Sequence, residues 1–270
     1  MKFKLSVFLL FLVQILLAQD DRNIYLSIQK KLHSNDNVNC ISIGNLFLGK
    51  PYKKNILNQC YQNEQLNTCL SAFDCVTFVE TVLSLNSVFH QKNPSFDNFK
   101  ENLSHWRYKN GIVDCKNRLH YFSDWVQYHE NNHEIQNITK ELNGEIVEKN
   151  LNFMTTNRNK YNFLKNDEIF NIVEQSENNL NKLPFYSIPK EKIPQIESKI
   201  KTGDIIGITS TRTSIDIDHV GFAVVHNNEV YLMHASHHFK RVVSKVETLK
   251  KYINRHKHHS GIIVLRVLKS

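Results

Sequence analysis

Apolar residues in the first half of the chain recur at helical spacing, and in the last quarter they fall into short β-branched runs. From the Cys75 region, Val76, Val79 and Leu83 form one series and Val82, Leu85 and Phe89 a second, the i, i+3/i+4 spacing of a helix. The same reasoning predicts a short amphipathic helix over 22–33, a break near Pro94 and a further helix over 96–109. Residues 130–182 are polar, rich in Asn, Lys and Glu, and read as a strand or two followed by a helix around 165–180. After Gly203 the pattern turns to strands at 204–209, 219–225, 229–235 and 261–267. Helices first and strands later predict an α+β fold, with the helix that starts at Cys75 packed on an antiparallel sheet beside His219.

Two of these strands specify their own register. Asp218 to Val225 is followed by His226-Asn227-Asn228-Glu229 and then Val230 to Ala235. Asn-Asn tolerates the positive φ of a two-residue hairpin turn. In that register His226 faces Glu229, Gly221 faces His234 and His219 faces Ser236. His219 and His234 then share a face as diagonal neighbours, roughly 7–8 Å apart between backbones. Gly221 leaves room for the imidazoles to meet, whereas a slip of one residue would put them on opposite faces.

Asp74 is an N-cap candidate with Cys75 just inside the helix. The positive helix end predicts a lowered thiol pKa and a reactive thiolate. Cysteine, histidine and a second polar group are the parts of a nucleophilic site, with Cys75 attacking, His219 moving the proton and His234 holding the ring of His219. A buried structural cysteine is the alternative reading of Cys75. Residues 111–125 mix aromatics and charges, including Arg118, Tyr121, Asp124 and Trp125, which suits either a carbohydrate- or peptide-lined groove or half-buried packing.

The chain opens with Lys2 and Lys4, an apolar run from Leu5 to Leu17, and Ala18-Gln19-Asp20. This predicts a secretory signal peptide over 1–19, because the run falls short of the about 20 apolar residues a membrane span needs. The remainder, 20–270, reads as a single domain that is exported, periplasmic or extracellular, without stable membrane insertion. Removing Lys2 and Lys4 lowers the formal charge from +8 to +6. That suits an anionic polymer as well as it suits ordinary surface lysines. No nucleic-acid-binding motif is present. Of the five cysteines, Cys40, Cys60, Cys69 and Cys115 remain if Cys75 stays free. They could stay reduced or form two bridges. No CxxC or HExxH pair marks a zinc site, so no metal or organic cofactor is expected. The run 254–259 (Asn-Arg-His-Lys-His-His) reads as a solvated loop, with metal binding as the minor alternative.

Phe73-Asp74-Cys75-Val76-Thr77-Phe78-Val79-Glu80, Asp218-His219-Val220-Gly221 and His234-Ala235-Ser236 resemble the three catalytic blocks of the NlpC-type papain-like cell-wall hydrolases. Gly49-Lys50-Pro51-Tyr52 and Lys201-Thr202-Gly203-Asp204-Ile205-Ile206 are similar to further segments of that superfamily. Arg118 to Trp125, Asn152-Phe153-Met154 and Tyr186-Ser187-Ile188-Pro189 resemble its N-acetylmuramoyl-L-alanine amidase-like branch. Val76-Thr77 stands where many relatives have Ser-Gly, a departure that agrees with that branch. The resemblance implies a papain-like core with helical and loop insertions, and a Cys-His-His amidase. Its substrate would be peptidoglycan or its turnover fragments, cut between the N-acetylmuramic acid lactyl group and L-alanine. Tyr52, Asp74 and Ser236, in or beside the matching blocks, join Arg118, Tyr121 and Trp125 as substrate-binding candidates. A γ-D-glutamyl endopeptidase with the same triad, a zinc amidase and a non-catalytic wall-binding module are the alternatives, and the oligomeric state stays open.

Overall fold

The computed structural model describes residues 20–33, 37–57 and 64–268. The expected signal peptide and Cys60 lie outside the described residues. Helices lead the chain: α1 over 20–32, α2 Cys40–Asn45, α3 Cys75–Phe89, α4 Phe96–Arg107 and α5 Phe122–Asn131. Side chains that satisfy the first free N–H groups set several of these starts. Asn39 and Asp74 each form a reciprocal capping box, and Ser95 accepts from the Asn98 N–H. Helix α3 is buried on several sides through Phe78, Val79, Val82, Leu83 and Leu85. That burial extends to Glu80, whose carboxylate pairs with Arg107 Nε of α4 at 2.7 Å.

After α5 come β1 Ile135–Asn137, β2 Glu145–Ile146, α6 Phe153–Thr156, α7 Asp167–Leu180, β3 Tyr186–Pro189 and α8 Ile193–Ile196. Then follow β4 Ile205–Ser210, β5 Ile217–His226, β6 Glu229–Ser236, β7 Arg241–Val243, α9 Leu249–Arg255 and β8 His259–Val267. The strands form an antiparallel sheet in the order β2-β3-β8-β4-β5-β6-β7, with β1 also paired to β8. The alternation expected of strands separates two cores. Ile205, Phe222, Met233, Ile263 and Leu265 meet α3 and its neighbours. Ile206, Ile208, Ala223, Leu232, Ile262 and Val264 meet α8 and α9 from the other side. The four strands expected after Gly203 appear as β4, β5, β6 and β8, whereas β7 and α9 had no clear local signal.

Residues 130–182 form a packed layer. Tyr121, Leu151, Met154, Phe163, Leu164, Ile169, Val173 and Leu180 make a core of their own. One expectation is corrected: the 254–259 segment is not simply a solvated loop, because Arg255 ends α9 and His259 opens β8 with its side chain buried. Of the two readings of 111–125, the structure favours packing, as Tyr121 and Trp125 are both buried. Among the described residues no helix is long and apolar enough to cross a membrane.

Candidate active site

Helix α3 begins at Cys75 because Asp74 caps it. Asp74 Oδ1 accepts the Thr77 N–H at 2.8 Å, and Thr77 Oγ1 accepts the Asp74 N–H at 3.0 Å. This geometry points the first-turn N–H groups of Cys75 and Val76 toward the sulfur, and the Val220 N–H of β5 reaches it from across the fold. Residue Cys75 is half-buried in a densely packed surround. Burial pushes the thiol up to about 12, and the Asp74 carboxylate adds to this against the three N–H groups. The expected lowering by the helix end is therefore outweighed, because desolvation of a thiolate costs more than one turn of amide dipoles returns.

The histidine pair follows from the hairpin. Asn227 and Asn228 adopt φ of 52° and 61°, and the ladder runs from His226–Glu229 to Phe222–Met233 in the expected register. Beyond it β5 stays paired with β4, and β6 turns to β7. His219 Nε2 and His234 Nδ1 lie 2.5 Å apart with perpendicular rings. Burial holds His219 well below its ordinary value, with His234 adding, and holds His234 near 3. Both rings are thus neutral at pH 7.

Tyr252 of α9 was not singled out in the sequence. Its ring centroid is 5.5 Å from that of His219 and 5.0 Å from that of His234. Burial raises its phenol, and the neighbouring Cys75 adds to the rise. His259 and His256 continue the aromatic stack behind Tyr252, and His259 Nδ1 is buried without a hydrogen-bond partner. The only local signal for Tyr252 is one aromatic in a short capped helix, which does not say what that helix covers. Tyr52 does border the site: its ring packs on His237 at 5.3 Å, and burial, Cys75 and Asp74 push its phenol up to about 12.

The other candidates are engaged elsewhere. Trp125 is 2% exposed, stacks on Phe122 and Trp106, and donates its indole N–H to the Trp106 carbonyl at 2.7 Å. Tyr121 donates its hydroxyl to Glu177 at 2.7 Å. The Trp125 ring is packed on both neighbours and offers no face for a sugar, whereas Tyr121, though 5% exposed, lines a small cavity with Arg118 and Asp124. Arg118 is buried, donates to the Leu57 carbonyl at 2.6 Å and pairs with Glu64 at 3.2 Å. The Ser236 hydroxyl accepts the Phe239 N–H in the turn before β7. Cys115 is disulfide-bonded, whereas Cys40 and Cys69 are free thiols like Cys75. Among the described residues one group has metal-ligand geometry, His105, His129 and Glu134, and it shares no residue with this site.

A neutral thiol, a neutral imidazole pair and converging N–H groups can together perform acyl transfer. Residues 42–262 match the family model described as AmiA-like, N-acetylmuramoyl-L-alanine amidase-like. An N-acetylmuramoyl-L-alanine amidase from Bacteroides uniformis superposes with a TM-score of 0.79 at 28% identity, covering 86% of this chain and 99% of that one. A Bacteroides fragilis protein provisionally named a xylanase superposes with a TM-score of 0.75 at 29% identity, covering 83% and 99%. A Legionella pneumophila protein at 23% identity shares the fold, with a TM-score of 0.69 over 94% and 96%. No curated protein matches the chain significantly.

Proposed function

The chain belongs to the N-acetylmuramoyl-L-alanine amidase-like family, and from that premise we propose that it is an exported cysteine amidase of the NlpC-type, papain-like kind. It would cleave the bond between the N-acetylmuramic acid lactyl group and L-alanine in peptidoglycan or its fragments. The observations that carry this reading are the Val220 N–H directed at the Cys75 sulfur, one residue along β5 from His219, and the 2.5 Å His219–His234 pair.

His219 Nε2 is taken up by His234, which leaves Nδ1 for the thiol. To accept a proton there, His219 must carry its own hydrogen on Nε2 and donate it to His234 Nδ1. The resting pair is neutral, so the proton passes from sulfur to His219 Nδ1 as sulfur adds to the carbonyl carbon. The N–H groups at the α3 start, Cys75 among them, hold the oxyanion. His219 then protonates the departing amine of L-alanine and activates water against the thioester, which releases the lactyl carboxylate and restores the thiol. Tyr52 and Tyr252 border the site, Tyr52 on His237 and Tyr252 on the histidine pair. The xylanase name of one neighbour does not transfer.

The test incubates the mature protein, in EDTA, with a muramyl-tripeptide and weighs the products. Free N-acetylmuramic acid plus a peptide beginning in L-alanine supports the reading. A muramyl-dipeptide product would assign the γ-D-glutamyl endopeptidase instead, and activity that is lost in EDTA, restored by zinc and retained in Cys75→Ala would assign the zinc amidase.

A further inference from the structure

His105 lies in the last turn of α4, His129 in the last turn of α5, and Glu134 just before β1. A turn through His133 at φ 56° folds Glu134 back over His129. The Glu134 N–H donates to the His129 carbonyl at 3.0 Å, and the Glu134 carbonyl accepts the Leu268 N–H at 2.8 Å. A β-carbon residue in the left-handed region carries a local cost, which here brings a carboxylate between two imidazoles. Glu134 Oε1 is 2.6 Å from His105 Nε2, and Oε2 is 2.7 Å from His129 Nδ1. The three ligating atoms lie within 4.8 Å of one another.

His129 is fully enclosed by Trp106, Trp125 and Tyr128, and its other nitrogen, Nε2, faces the Trp106 carbonyl at 3.2 Å. Both of its nitrogens therefore face acceptors, although a neutral imidazole has a single N–H to give. A cation on Nδ1 resolves this conflict and leaves Nε2–H to donate to the carbonyl, the arrangement that orients metal-bound histidines. The buried side is complete, and the side carrying half-exposed His105 opens to solvent, where water can fill the remaining positions.

We propose that His105, His129 and Glu134 form a binding site for a divalent transition cation of the zinc class, separate from the catalytic residues, which ties the ends of α4 and α5 to the entry of β1. Two imidazole nitrogens and one carboxylate favour zinc-class ions over magnesium or calcium. Metal-ligand bonds of about 2.0–2.2 Å require the three atoms to open slightly around the ion, which the half-exposed His105 side chain can accommodate.

The test titrates metal-stripped mature protein with zinc chloride by calorimetry, in a Cys75→Ser background so that the thiol cannot compete. The expected result is one tightly bound equivalent, with affinity at least about tenfold weaker in His105→Ala and in Glu134→Gln. At a zinc concentration about 100 times Kd, the parent Tm should rise by about 5–10 °C and the variants' should not. His105 is half exposed, so His105→Ala keeps the fold, which circular dichroism without metal checks. Failure of the parent to bind zinc, or equal stoichiometry and affinity in both variants, overturns the site and leaves the three residues as a proton-bridged ion pair.

Discussion

Gly221 stands where β5 leaves β6, directly beside His234. A methyl group placed on it would lie 2.7 Å from the Met233 carbonyl oxygen, 2.8 Å from His234 Cβ and 3.1 Å from Leu232 Cδ1. Carbon contacts settle near about 3.5–4.0 Å, so the strands must part by about 0.7 Å. The Met233 carbonyl cannot yield freely, because Phe222–Met233 is the last rung of the β5–β6 ladder. The displacement therefore falls on His234 and lengthens its 2.5 Å contact with His219. Overpacking of this kind costs about 1–3 kcal/mol, which lowers Tm by about 3–10 °C in a chain of this size. Misplacing a catalytic group by a fraction of an ångström lowers kcat/KM by about 10–100-fold. Gly144→Ala is the matched control, with a methyl 2.7 Å from both Thr139 Cγ2 and the Thr139 carbonyl oxygen in the loop between β1 and β2. Both variants should lose similar stability by thermal melt, and only Gly221→Ala should lose most of its muramyl-peptide hydrolysis. A folded Gly221→Ala with wild-type kcat/KM, or equal activity losses in the two variants, would refute the argument.

Three other outcomes are expected. Alkylation of Cys75 by iodoacetamide, followed by peptide mapping, should accelerate about tenfold per pH unit from pH 7 to 9, since burial holds the thiol near 12; a rate already at its plateau at pH 7 would mean a preformed thiolate. Arg107→Ala strands the Glu80 carboxylate in the core and should cost about 3–5 kcal/mol in urea unfolding; a loss below about 1 kcal/mol would count against a structural role for the pair. Stability should fall as pH drops below about 6.5. His120 and His234, held near 3 by burial, and His219, held well below its ordinary value, take up protons in the unfolded chain first. Each therefore withdraws up to about 1.4 kcal/mol per pH unit, and an unchanged Tm between pH 7 and 4.5 would contradict their burial.

The legible features were those settled within a few residues of chain. Asp74 caps α3 through Thr77 three positions on, and Asn227-Asn228 set the turn. Strand alternation then carries His219 and His234 to one face, because a register is propagated by local geometry once the turn is made. What depended on residues far apart in sequence was decided only by packing. Trp125 and Tyr121 look like groove residues in isolation, but α4, α6 and α7 close over them. Tyr252, on a seven-residue helix, borders the histidine pair because α9 packs against β6 and β8. The thiol at Cys75 shows the division within one residue. The helix start is written locally and favours a thiolate, joined by the Val220 N–H from across the fold, while desolvation by the packing that only the folded chain assembles around the thiol outweighs them and holds the proton on sulfur.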